Sequence, residues 1–64
     1  MNGYIVEYVN HGWPTIDIQV DAKYPMFENG QDVLSIWHFE TEDERDFILR
    51  DLRKFREQQK KGFA

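Results

Sequence analysis

The chain has 64 residues, no cysteine, a formal net charge of −4 and a sequence pI near 4.9. That describes one domain without disulfides or thiolate metal sites, and far more acidic than dedicated nucleic-acid-binding domains, whose pI usually exceeds about 9. A chain this short buries only about 60% of its unfolded surface, so five Phe, three Tyr and two Trp must complete a small core or mark a contact surface.

Met1-Asn2-Gly3-Tyr4 lacks the basic and apolar regions of a signal peptide, and no stretch approaches the roughly 20 apolar residues of a membrane span. A cysteine-free chain suits a reducing compartment. The expectation is a cytoplasmic protein, complete as a small gene product.

Gly3–Val9 reads as a first strand, with Tyr4, Val6 and Tyr8 on one face and Ile5, Glu7 and Val9 on the other. Asn10-His11-Gly12-Trp13-Pro14 is built from turn residues and reads as a loop. Thr15–Asp21 alternates cleanly, so Ile16, Ile18 and Val20 are expected in the core and Thr15, Asp17, Gln19 and Asp21 in water. These two strands are close enough to form an antiparallel hairpin. In 22–32, Asn29-Gly30 is a hairpin-turn signal and Pro25 permits only an edge strand. That segment is either a second hairpin or an ordered loop with Tyr24, Met26 and Phe27 over the core edge.

Val33–Phe39 is rich in β-branched and aromatic residues and apolar on both faces, which predicts a strand at the centre of the sheet. Thr41-Glu42-Asp43-Glu44 then fits a capping box, with the Thr41 hydroxyl accepting from the Glu44 N–H and the Glu44 carboxylate from the Thr41 N–H. Acids crowd the first helical turn and bases the last, matching the helix dipole, and Gly62 is a natural stop. Ile48, Leu52 and Phe55 form the apolar stripe, flanked by Phe47 and Leu49. The sum is an α+β fold: a three- or four-stranded antiparallel meander with one C-terminal amphipathic helix on one face (ββ(β)βα). The second sheet face is expected to stay uncovered.

Chemistry is hard to place on this sequence. His38 and Glu40 share a strand face, but with the isolated His11 they make no ligand set, and neither metal nor cofactor is expected. Ser35 is the only serine, and no nucleophile, base and orienting group stand at recognisable spacing. The chain is therefore expected not to be an enzyme.

Protein binding is the leading expectation. It rests on the aromatic content and the uncovered sheet face, with Trp13, Tyr4, Tyr8, Trp37 and His38 as candidate contacts. A short, acidic, cysteine-free chain of this kind suits an accessory or virus-encoded (for instance phage) inhibitor or modulator that occludes a larger host protein; a homodimer is the other use of such a face. One alternative is an acidic nucleic-acid mimic, using Asp17, Asp21, Glu40, Glu42, Asp43, Glu44 and Asp46. Another is weak nucleic-acid contact through Arg50, Arg53, Lys54, Arg56, Lys60 and Lys61. Capping and solvation account for most of the acids, and a solvated helix face accounts for the bases.

Overall fold

The computed structural model describes the backbone through residue 62 and side chains through residue 55. The elements are β1 (Gly3–Asn10), β2 (Trp13–Val20), β3 (Asp32–Phe39) and α1 (Glu42–Gly62). The α+β combination of an antiparallel sheet and one C-terminal helix is as expected, with three strands.

β1 and β2 form a tight hairpin in which Asn10 pairs with Trp13 and Gly3 with Val20. The connection is two residues long, not the five-residue loop expected. His11 (φ 52) and Gly12 (φ 80) both take left-handed conformations, the combination a two-residue type I′ turn requires. Trp13 and Pro14 therefore lie within β2. Pro14 is tolerated because β2 is an edge strand.

The third strand does not continue beside β2. The sheet order is β2-β1-β3, which corrects the expected central position of Val33–Phe39: β1 is central and β3 lies at an edge. β3 is antiparallel to β1, with Ile5 opposite Trp37 and Gly3 opposite Phe39, and the register slips between Glu7 and Tyr8 at a bulge that leaves Leu34 unmatched. The two apolar faces of β3 have another cause than central placement. One side meets α1, and the other belongs to a surface the next loop partly covers.

That loop, residues 21–31, settles the segment left open by the sequence. Gln31 N–H donates to the Glu28 carbonyl at 3.2 Å across the Asn29-Gly30 turn, but no strands flank the turn. The loop instead folds over the face carrying Tyr4, Val6 and Tyr8. The Gln19 amide clamps it, with Nε2 donating to the Met26 carbonyl at 2.6 Å and Oε1 accepting from Met26 N–H at 2.8 Å. Met26 and Phe27 line a depression with Val6 and Tyr8. Val6 is 1% exposed, so the expectation that nothing covers this face is corrected.

The helix covers the opposite face. Leu52 packs with Ile5 and Phe39, and Ile16, Ile48 and Leu49 close around them. Its cover is narrower than expected, since Ile18 and Val20 on β2 are exposed, as are Phe47 and Phe55 on α1. The helix start follows the expected chemistry with a one-residue shift. Glu44 N–H donates to the Thr41 hydroxyl at 3.2 Å, while the Glu44 carboxylate accepts from the N–H of Glu40, not of Thr41, at 3.3 Å.

The tightest approach in the sheet is at Gly3, where a Cβ would collide with the Gln19 carbonyl oxygen and stand 2.9 Å from Phe39 Cζ. Gly3→Ala is expected to cost about 1–3 kcal/mol through overpacking. The melting temperature should fall by roughly 4–8 °C for each kcal/mol in a domain of this size. A thermal melt matching wild type would show that β1 and β2 can separate there at no cost.

Candidate interaction surface

Three surfaces carry the residues singled out by the sequence, and the structure does not bring them together. Tyr4 and His38 are cross-strand partners with ring centroids 5.0 Å apart, and the Tyr4 hydroxyl reaches the Lys23 carbonyl at 3.5 Å. Tyr8 shares their sheet face but stands under the loop beside Phe27. Trp13 is 65% exposed at the hairpin end. Trp37 is one residue from His38 and so projects to the opposite, helix-bearing face.

Trp37 belongs to a concavity between strand and helix. It is a cleft of about 580 Å³ between β3 and α1, walled by Leu34 and Trp37 from the strand and by Phe47 and Phe55 from the helix. All four side chains are substantially exposed, with Phe47 at 65% and Trp37 at 44%. Asp51 and Lys54 stand on the helix side of the cleft. The volume falls within the usual ligand-site range of about 300–1,000 Å³, but the cleft is open to solvent along the unpaired edge of β3.

The floor is polar. Glu7, in the middle of β1, is 2% exposed and sits opposite Ser35 in the ladder. The Ser35 hydroxyl donates to Glu7 Oε1 at 3.1 Å, and Trp37 Nε1–H donates to Ser35 Oγ at 3.0 Å. A carboxylate removed from water needs such donors, and a half-buried indole N–H needs an acceptor. The chain from indole to hydroxyl to carboxylate meets both needs and fixes the Trp37 ring as a wall of the cleft. Among the described residues no buried side-chain nitrogen or oxygen lacks a partner.

Sequence reading found Trp37 but missed Glu7, Leu34, Phe47 and Phe55. Glu7 is the one charged residue within β1, and Ser35 stands between Leu34 and Ile36 in β3, which was the available signal. Phe47 and Phe55 looked like core because the helical stripe was drawn wider than the sheet beneath it.

The charged sets have local explanations. Arg45 bridges Glu42 at 3.3 Å and Asp46 at 3.1 Å, Glu44 caps the helix, and Asp17 accepts from Gln19 at 2.9 Å. Asp21 follows β2, its N–H bonded to the Asn2 carbonyl. Arg50, Arg53 and Lys54 line a shallow depression with Asp46 and Leu49, whereas the side chains of Arg56, Lys60 and Lys61 lie outside the described residues. His11 and His38 sit at opposite ends of the sheet, and among the described residues no three His, Asp or Glu side chains converge as metal ligands. Among the same residues no helix is long and apolar enough to cross a membrane.

Fold and surface thus define a small α+β domain with an open sheet edge beside an aromatic cleft. No protein-family model matches the chain, nor does any curated protein or solved structure.

Ser35→Ala removes the middle of the hydrogen-bonded chain, taking one donor from the buried Glu7 carboxylate and the acceptor from the Trp37 indole N–H. The expected cost is about 1–3 kcal/mol, with a change in Trp37 emission read in a Trp13→Phe background. Unchanged stability and emission would mean that the Glu7–Ser35–Trp37 chain does not hold the cleft wall.

Proposed function

We propose that this chain is a small, non-enzymatic protein-binding module that docks on a larger protein through the β3–α1 cleft and acts by occlusion, as an inhibitor or modulator. The carrying observation is the convergence of Leu34, Trp37, Phe47 and Phe55 on one cleft at an unpaired sheet edge. Aromatic side chains set in a concavity and rimmed by charges (here Asp51 and Lys54) are the usual composition of an interface hot spot. An unpaired strand adds backbone donors and acceptors for an incoming chain. Absence of cysteine agrees with action in the reducing cytoplasm.

This reading moves the anchor from Trp13, the most exposed-looking aromatic of the sequence, to Trp37. Affinity capture of the tagged protein from its own cell's lysate, with and without nuclease, tests it. One stoichiometric protein is expected in both conditions. Its binding should weaken by at least tenfold, about 1.4 kcal/mol, in Trp37→Ala and be little changed in Trp13→Ala. Recovery that disappears with nuclease, or a partner that depends on Trp13 and ignores Trp37, would sink the proposal.

A further inference from the structure

We infer that Asn29 is a site of spontaneous deamidation in the folded protein, its side-chain amide lost to attack by the Gly30 nitrogen, while the sheet protects the chain's other Asn-Gly pair.

Asparagine followed by glycine is the sequence in which this reaction meets least hindrance, because no Cβ shields the attacking backbone nitrogen. The chain holds two such pairs, Asn2-Gly3 and Asn29-Gly30, and a third asparagine, Asn10, followed by the bulkier His11. As sequence, the two glycine pairs are equivalent. The fold separates them.

Asn2-Gly3 stands at the start of the central strand. Gly3 is buried and pairs with Val20 on one side and Phe39 on the other. The Asn2 carbonyl accepts from Asp21 N–H at 2.6 Å. Closing a cyclic imide here requires the Asn2–Gly3 peptide plane to turn. That rotation breaks the ladder where it is most crowded, with the Gln19 carbonyl and the Phe39 ring filling the space beside the Gly3 Cα.

Asn29-Gly30 is the opposite in each respect. Both residues are exposed, and no strand flanks them. Gly30 has φ 83, the positive value that the third position of a type II turn calls for, and nothing lies within 4 Å of where its Cβ would be. The turn is closed by Gln31 N–H donating to the Glu28 carbonyl at 3.2 Å, so the Gly30 N–H stays outside that bond.

In the reaction the Gly30 nitrogen gives its proton to a solvent base and bonds to Asn29 Cγ, and the side-chain nitrogen leaves as ammonia. Water then opens the cyclic imide at either carbonyl, leaving aspartate or isoaspartate at position 29. Both products add one negative charge to the net −4. Isoaspartate also routes the main chain through Cβ, lengthening it by a methylene inside the turn. The two bonds that join Glu28 and Gln31, the backbone bond and the one from Glu28 N–H to Gln31 Oε1 at 2.9 Å, then cannot both keep their geometry. The cover over Val6 and Tyr8 is altered at its β3 end, while the Gln19–Met26 clamp lies outside the altered turn.

The test holds the full chain at mildly alkaline pH, native and in denaturing urea, and then cleaves it with trypsin after Lys23 and Arg45. Asn29 falls in residues 24–45, Asn2 and Asn10 in residues 1–23, and fragment ions separate the last two. Mass spectrometry reads amide-to-acid conversion, and an isoaspartate-specific methyltransferase labels isoaspartate. In the native chain, Asn29 is expected to convert roughly tenfold or more faster than Asn2, which waits on opening of the sheet. In urea the two pairs should convert at similar rates. Asn29→Gln, whose longer side chain closes the ring poorly, should remove the signal from residues 24–45. Equal native rates at Asn2 and Asn29 overturn the inference. So does an Asn29 that keeps its amide in the native chain while the unfolded chain loses it, or a signal in residues 24–45 that survives Asn29→Gln.

Discussion

Every other part of the molecule is positioned by the way β1 is enclosed. It is the one strand with a neighbour on each side, and its Ile5, Val6 and Glu7 are buried in succession, which requires cover on both faces. α1 supplies one cover through Leu52 and Ile48. The 21–31 loop supplies the other, held by the Gln19 amide. A chain of this length has material for one helix and one loop, and both are spent on the same strand. The edge strands are consequently half-covered, which leaves Ile18 and Val20 exposed on one side and opens the Trp37 cleft on the other.

Burial of Glu7 within that enclosure links fold to surface. A carboxylate in the middle of a central strand is costly unless it accepts hydrogen bonds. One donor comes from Ser35, directly across the ladder, and Ser35 in turn accepts from Trp37. The polar requirement of the core therefore determines where an exposed aromatic stands. Trp37 would be one more exposed side chain without it. With it, the indole is a fixed wall facing Phe47 and Phe55.

Much of the local structure was legible in the sequence: alternation announced β2, β-branched and aromatic content announced β3, and Thr41 with Glu44 announced the start of α1. These are short-range signals, each decided within a few residues. Strand order was not legible. The apolar faces of Val33–Phe39 fit a central strand as well as an edge strand with a helix on one side, and only the long-range pairing of β1 with β3 separates the two. The same limit applies to the cleft. Phe47 and Phe55 obey the helical period of a core stripe, and their exposure follows from the width of a three-stranded sheet, which no local pattern encodes.

The clamp between Gln19 and Met26 has a consequence for how the chain could be divided. The loop is attached to the sheet by the Gln19 side-chain amide, the Asp21–Asn2 backbone bond, the Tyr4 contact and the packing of Met26 and Phe27, not by ladder pairing. A protease nick in this loop would leave the β1–β2 hairpin on one fragment and β3 with α1 on the other. The two pieces would still share the whole β1–β3 ladder and the Ile5–Phe39–Leu52 core. The molecule is in this sense already two complementary halves, and the loop between them is a tether as much as a cover.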